Sequence, residues 1–160
     1  MKKMISLVIF SAFIQFAIGQ TISKWKITDV EKYMAQKDAV LVINFWATFC
    51  KPCVAEIPSF IRITNSYKKD NVKLLLVSLD LPSYYPSKIS AFVKKQHFNT
   101  RIVWLDETNA DYFCPRIDKS WSGSIPSSMI VNTMTGYRKF IEEEMTAEEF
   151  EKELKLAIKG

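Results

Sequence analysis

Glycine is scarce in this sequence, with only four among 160 residues, and no stretch is rich enough in it to form a phosphate-binding loop. Internal repeats and low-complexity tracts are also lacking, which excludes a solenoid or an array of repeats. Charge of neither sign dominates, since 22 Lys and Arg face 17 Asp and Glu. The small positive excess is spread along the sequence. It indicates a solvated basic surface and gives no reason to expect a nucleic-acid partner.

The composition is that of a globular protein, 48% hydrophobic and 24% charged, and the length suits one domain with a core of ordinary size. The N-terminus differs from the rest, because two lysines precede an apolar stretch at residues 4–18 and a small residue, Gly19. This order is typical of a secretory signal peptide, which we predict to cover residues 1–19. An uncleaved membrane anchor is the alternative, although about 20 apolar residues are usually needed to span a bilayer. We therefore expect residues 20–160 to be exported to the periplasm.

Cysteine is rare as well, and two of the three cysteines lie two residues apart in the segment NFWATFCKPC, residues 44–53. Such a pair can be a structural disulfide, part of a metal site or a redox-active dithiol. A static disulfide gains little from closing so small a loop. A metal site would need Cys50, Cys53, His97 and Cys114, and the last two lie 44 and 61 residues beyond Cys53. Redox exchange is therefore favoured, with Cys114 left over as an odd cysteine.

The position of Cys50 suits that chemistry, because the apolar run before it predicts a strand and the residues after it a helix. Free backbone N–H groups and the dipole at a helix N-terminus favour a thiolate, which is the nucleophile in disulfide exchange. Cys53 lies one helical turn further on, where it can attack the mixed disulfide and release the product. Lys51 adds a positive charge beside Cys50, and Pro52 suits the first turn of a helix.

The apolar pattern predicts alternating strands and helices. The predicted strands lie within 24–37 and at 39–46, 72–80, 101–105, 125–132 and 136–143, the last two joined by a turn. The predicted helices lie within 24–37, after the first strand, and at 52–69, 87–98 and 146–159, with a short helix or turn that Pro115 stops. Thr28 or Asp29 caps the first helix, Pro58 kinks the second, and Thr146 caps the last. Alternation of this kind predicts an α/β sandwich around a central sheet, in a single domain.

The segment NFWATFCKPC, with Pro58 after it and SGSIPSSMIVN at residues 122–132, resembles the thioredoxin superfamily. It is most similar to the exported TlpA/ResA branch of thiol–disulfide reductants, and the resemblance covers roughly residues 38–158. It implies an α/β fold of the thioredoxin-like type, a three-layer α/β/α sandwich with a central mixed β-sheet. It implies no cofactor beyond the two cysteines and no metal.

The resemblance also implies roles for individual residues. Cys50 would be the attacking thiol and Cys53 the resolving thiol. Trp46 would pack beside the site. Pro126 would match a proline that follows a cis peptide bond and faces the disulfide, and Ile125 would offer its backbone to an extended substrate. Trp46, Ile125 and Pro126 are therefore the predicted substrate-binding residues.

Two polar residues near the cysteines also match that branch. Asn44 stands where thioredoxin itself has a buried acid, and Glu56 matches a glutamate that the branch carries near the site. A carboxylate within reach of Cys53 could take up or deliver its proton during exchange. The alternative is a solvent-exposed glutamate in the first turn of a helix, where the dipole favours a negative charge.

The resemblance implies a reductant of disulfides in partner proteins, apocytochromes c before haem attachment among them, with electrons supplied by a membrane thiol carrier. Pro52 resembles the reductants, since strongly oxidising relatives often carry histidine there. Lys51 departs from the branch, which often has an acid at this position. Two alternatives remain open: an oxidant that inserts disulfides, and a module that binds a metal or a haem-assembly partner without turnover. No part of the sequence predicts a dimer interface, so we expect a monomer.

Other residues that often carry chemistry are predicted to be structural. We expect His97 at the surface, Cys114 buried as a small hydrophobe, and the acidic run 142–149 solvated at the approach to the last helix. The aromatic residues predicted to lie mostly in the core are Phe45, Trp46, Phe49, Phe60, Phe92 and Trp104.

Overall fold

The computed structural model describes residues 21–160, so the predicted signal peptide at 1–19 lies outside the described residues. The strands in chain order are β1 Ser23–Trp25, β2 Val40–Trp46, β3 Val72–Ser78, β4 Arg101–Leu105, β5 Ser127–Asn132 and β6 Tyr137–Ile141. The α-helices are α1 Ile27–Met34, α2 Lys51–Ser66, α3 Ser87–Gln96, α4 Ala110–Ile117 and α5 Ala147–Lys159. Within this part of the chain, no helix combines the length and the apolar character that crossing a bilayer requires.

All six strands form one sheet in the order β1-β4-β3-β2-β5-β6. The first four strands in this order are parallel, whereas β5 runs antiparallel to both β2 and β6. The predicted central mixed sheet is therefore confirmed. β2 lies inside the sheet and all seven of its residues are buried, which explains why Asn44 is the single polar residue in its sequence.

Helices cover both faces of the sheet and enclose two apolar clusters. On one face, α2, α3 and α5 contribute residues such as Phe60, Ile89 and Phe150, and Phe60 stacks on Phe150 with ring centroids 3.8 Å apart. On the other face, α1 and α4 contribute residues such as Val30 and Ile117. The three-layer α/β/α sandwich predicted from the sequence is thus confirmed.

The N-terminal cap predicted from the sequence is correct for α5 and wrong for α1. Thr146 caps α5 as predicted, with its side chain accepting the N–H of Glu149. The cap predicted for α1 is wrong, because that helix begins at Ile27 and Lys26 precedes it. Asp29 instead lies inside the first turn, where its carboxyl group accepts the N–H of Lys26 at 3.0 Å. The two polar residues in this segment left the helix start ambiguous in the sequence.

The prolines interrupt the helices less than their positions suggest. α2 runs through Pro58, and α4 continues past Pro115 to Ile117, so the prediction that Pro115 stops this helix is wrong. A proline inside a helix removes one backbone hydrogen bond, but packing can hold the turn that follows. In α4 the buried side chains of Phe113, Cys114 and Ile117 supply that packing.

Candidate active site

Cys50 and Cys53 form a disulfide at the junction between β2 and α2. Cys50 precedes the helix, and its sulfur accepts the N–H of Cys53 at 3.3 Å. Only 8% of Cys50 is exposed, and Cys53 is completely buried. A helix N-terminus stabilises a thiolate, and Cys50 is the only one of the two sulfur-bearing residues with any exposed surface. The arrangement therefore gives the two cysteines unequal access to a partner.

Phe49, directly before Cys50, is exposed to solvent over 63% of its surface, so its predicted place in the core is wrong. β2 ends at Trp46, and the N–H of Cys50 then donates to the carbonyl of Ala47, which makes residues 47–50 a turn. The buried pattern of the strand does not extend into this turn. A large apolar side chain consequently lies in solvent next to the disulfide.

Asp80 anchors the same turn, and the sequence analysis did not identify it. Its buried carboxyl group accepts the backbone N–H of Thr48 at 3.1 Å and the Thr48 hydroxyl at 2.6 Å. It also accepts the Ser78 hydroxyl at 2.7 Å. Asp80 lies two residues after the end of β3, so these bonds tie the ends of two neighbouring parallel strands together. A polar residue at the carboxyl end of a predicted buried strand was the signal available in the sequence.

The Ile125–Pro126 peptide bond is cis, as the resemblance implies. Ser127 pairs with Phe45 across β5 and β2, so Pro126 lies beyond the same end of β2 as the two cysteines. Pro126 is buried and Ile125 is partly exposed. The second proline in a cis bond, Pro86, was not expected and lies in the loop before α3.

Glu142 holds the segment that leads into Ile125. Its carboxyl oxygens accept the backbone N–H of Ser122 at 2.9 Å and of Ser124 at 3.0 Å, together with the Ser122 hydroxyl. Burial opposes ionisation of this carboxyl group, but the hydrogen bonds outweigh it and lower the pKa of Glu142. The expectation that residues 142–149 are only a solvated approach to the last helix is therefore wrong for Glu142, and it is wrong for Met145 as well, which is buried in the core.

Glu56 is buried, with 4% of its surface exposed, which contradicts the alternative of a solvent-exposed glutamate. One carboxyl oxygen accepts the Asn44 side-chain amide at 2.8 Å, and the other accepts the backbone N–H of Met145 at 3.0 Å. Burial raises the pKa of Glu56 to about 7, although both hydrogen bonds oppose the rise. Residues three apart on a helix share a face, so this carboxyl group lies on the Cys53 side of α2.

Trp46 supports the site from within the protein. It has no exposed surface, and its ring packs against Phe92 and Phe98 with centroids 6.1 Å and 5.7 Å away. The prediction that Trp46 packs beside the cysteines agrees with its place in the same apolar cluster. The assignment of Trp46 as a substrate-binding residue disagrees with its burial, because a completely buried ring offers no surface to a partner.

Cys114 and His97 do not join the two paired cysteines in a cluster. Cys114 is buried in the cluster on the opposite face of the sheet, and burial, followed by nearby Glu142 and Asp111, raises its pKa to about 11. His97 is exposed in a left-handed conformation at the end of α3. Across residues 21–160, no group of three or more His, Cys, Asp and Glu side chains could hold a metal ion.

The fold and the paired cysteines define a thioredoxin-like thiol–disulfide oxidoreductase. The chain belongs to the AhpC/TSA family, whose family model matches residues 15–134. The thiol-disulfide oxidoreductase ResA of Geobacillus kaustophilus is 24% identical over 142 residues, covering 86% of this chain and 76% of that protein. The family inferred from the sequence is therefore confirmed.

Solved structures agree with this assignment. The thioredoxin-related protein from Neisseria meningitidis serogroup B has a TM-score of 0.62 at 27% identity, covering 78% of this chain and 86% of its own. A secreted disulfide oxidoreductase from Mycobacterium tuberculosis has a TM-score of 0.57 at 18% identity, covering 75% of this chain and 83% of its own. At that identity the second likeness supports the fold alone.

Proposed function

We propose that this protein is an exported reductant that opens disulfides in partner proteins with the Cys50–Cys53 dithiol. The observation that carries the exchange chemistry is the unequal exposure of the two cysteines at the start of α2. Pro52 and the resemblance to the reductants favour the direction of the reaction. A partner can reach only Cys50, because Cys53 lies buried one helical turn further on. This is the arrangement that a nucleophile and a resolving thiol require.

The reaction transfers two electrons from the dithiol to the partner. The Cys50 thiolate attacks one sulfur of the partner's disulfide, and the other partner sulfur leaves as a thiolate. Cys53 then loses its proton and attacks the Cys50 sulfur of the mixed disulfide. The second partner sulfur leaves, and the Cys50–Cys53 disulfide remains. The partner gains two thiols for each disulfide formed here.

Two features support an extended polypeptide as the substrate. The cis bond before Pro126 lies at the same end of β2 as the disulfide, which brings the Ile125 backbone to the position that the resemblance implies for substrate binding. Phe49 and Leu81, which are 63% and 60% exposed, follow the ends of β2 and β3 at this end of the sheet. An apolar segment of a partner would cover them on docking.

Export supports a need for an external electron supply. The basic and apolar N-terminal sequence favours secretion. In an oxidising compartment the disulfide persists unless something reduces it. We infer that a membrane thiol carrier supplies the electrons. The likeness to ResA makes apocytochromes c our proposed partners, with the protein acting as a monomer.

The reduction potential of the Cys50–Cys53 pair tests the direction of the reaction. We would measure it in residues 20–160 carrying Cys114→Ala, by equilibration against defined thiol–disulfide buffers. Alanine suits the buried position because it adds no polar group. We expect a value of about −250 mV or lower, close to that of thioredoxin. A value of about −120 mV would instead define an oxidant, and the lack of any reversible couple would favour a binding module.

Glu56 is the group we propose to accept the Cys53 proton during release of the partner. With a pKa of about 7, its carboxyl group can change protonation state near neutral pH. For Glu56→Gln we expect the rate of mixed-disulfide resolution to lose its inflection near pH 7. Rapid-mixing measurements from pH 5 to 9 would show it. An unchanged profile removes Glu56 from the mechanism.

The same variant should also change how stability depends on pH. The folded pKa of about 7 lies above the ordinary value of 4.5, so the folded state binds more protons between these two values. The contribution of Glu56 to stability is then greatest below about pH 4.5 and falls by up to about 3 kcal/mol as the pH rises from there through 7. Glu56→Gln cannot titrate and should lack this loss. Denaturant unfolding of the oxidised protein at pH 5 and pH 8 measures it, with exposed Glu148→Gln as the matched control.

A further inference from the structure

The positive charge that is spread along the sequence is concentrated at one end of the fold in residues 21–160. We call this region the basic end and define it as residues 35–39, 67–73, 94–101, 133–136 and 158–160. It contains eight Lys and Arg and two Asp, whereas the rest of residues 21–160 contain twelve Lys and Arg and fifteen Asp and Glu. The cations of the basic end are Lys37, Lys68, Lys69, Lys73, Lys94, Lys95, Arg101 and Lys159.

The topology brings these segments together. Parallel strands begin at the same edge of a sheet, and Val40 pairs with Val72 while Leu75 pairs with Arg101. The segments between each helix and the next parallel strand therefore meet at that edge. Asn132 donates to the carbonyl of Ala157, which places the end of α5 there as well. Charges scattered over 120 residues of sequence thereby form one surface.

These cations remain available to a partner. All eight side chains belong to exposed residues, and within residues 21–160 none of them forms an ion pair. The Arg101 guanidinium does lie over the rings of Trp25 and Tyr33, 4.9 Å and 5.5 Å from their centroids, so the seven lysines are the freer cations. Basic residues in a last helical turn compensate the helix dipole, which accounts for Lys94, Lys95 and Lys159. It does not account for Lys73 and Arg101, which lie in strands and line a cavity of about 450 Å³ with Lys68.

The start of the described chain also lies at the basic end, which would place this end next to the bilayer if the N-terminal apolar stretch is the uncleaved membrane anchor considered above. Ser23 pairs with Val103 in parallel β1 and β4, so Thr21 lies beside Arg101, at the basic end. The apolar stretch at residues 4–18 precedes it in sequence. The cysteines lie at the opposite edge of the sheet, across the seven residues of β2, a distance of roughly 20 Å.

We propose that the basic end rests on the anionic headgroups of a phospholipid bilayer and directs the Cys50–Cys53 site away from it. Clustered lysines are attracted to an anionic membrane surface through a potential that decays within a Debye length. The proposal does not depend on the direction of the redox reaction or on its substrate. It concerns only where the fold presents its active site.

Vesicle binding tests the proposal. Residues 20–160 retain all six strands and both apolar clusters, so this chain is suited to the measurement. We would sediment it with vesicles of phosphatidylcholine alone and with vesicles that also contain phosphatidylglycerol, at low and at physiological salt. We expect binding to the anionic vesicles only, weakening as salt rises.

Two triple variants that remove the same charge locate the surface. Lys68→Gln, Lys69→Gln and Lys73→Gln together should weaken binding by about tenfold or more. Lys119→Gln, Lys139→Gln and Lys152→Gln remove three exposed lysines outside the basic end and should change it less than about threefold. Equal losses in the two variants would overturn the proposal, as would equal binding to both vesicle types. Tighter binding to a DNA duplex at the same salt would also overturn it.

Discussion

Cys50→Ser should reduce turnover of a disulfide substrate by a factor of about a thousand or more, because it removes the thiolate that attacks. Cys53→Ser should also stop turnover, but for a different reason. Cys50 still attacks, and no second thiol remains to release the partner, so a covalent complex accumulates. Non-reducing electrophoresis with a model disulfide protein distinguishes the two variants.

Because only Cys50 is exposed, we expect the covalent complex in Cys53→Ser and not in Cys50→Ser. Cys114→Ala serves as the control, because Cys114 lies buried in the cluster on the other face of the sheet and should leave turnover unchanged. If Cys50→Ser accumulated the covalent complex and Cys53→Ser did not, the roles assigned to the two cysteines would be reversed. That outcome would also require Cys53 to become exposed in the reduced protein.

Asp80→Ala should destabilise the protein by about 3–5 kcal/mol. The substitution leaves the backbone N–H of Thr48 and the hydroxyls of Thr48 and Ser78 without their acceptor. A buried donor without a partner, here the Ser78 hydroxyl, costs about 1–3 kcal/mol, and the two donors of the partly exposed Thr48 add less each. The turn at residues 47–50 would lose its attachment to the end of β3, so we also expect Cys50 to react faster with a bulky alkylating reagent after reduction.

The conservative variant separates the effect of the hydrogen bonds from that of the side-chain volume. Asp80→Asn keeps one carbonyl oxygen facing Thr48 and should cost less than half as much as Asp80→Ala. Denaturant unfolding of the oxidised proteins measures the stability, and mass spectrometry follows alkylation. A loss below about 1 kcal/mol for Asp80→Ala would show that water satisfies these donors and that the turn does not depend on them.

The elements of the fold could be predicted because each depends on a contiguous stretch of sequence. Buried strands have mostly apolar runs, as in β2, and α5 carries its own capping residues, Thr146 and Glu149. The errors arose where a contiguous stretch does not decide the outcome. Whether α4 ends at Pro115 depends on packing against other elements, and Phe49 is exposed because the strand before it ends three residues earlier.

The sequence by itself determined the chemistry of this protein. Two cysteines at a strand-to-helix junction specify a redox pair, since the helix start and the spacing that activate them are local properties. Only the tertiary structure decided which residues surround the cysteine pair and where the surface charge lies. Glu56 is buried against the backbone of Met145, 89 residues away, and Glu142 reaches back to hold Ser122 and Ser124. The basic end likewise exists only because parallel strands begin at one edge. Burial and charge density depend on which distant segments meet, and a linear pattern does not contain that information.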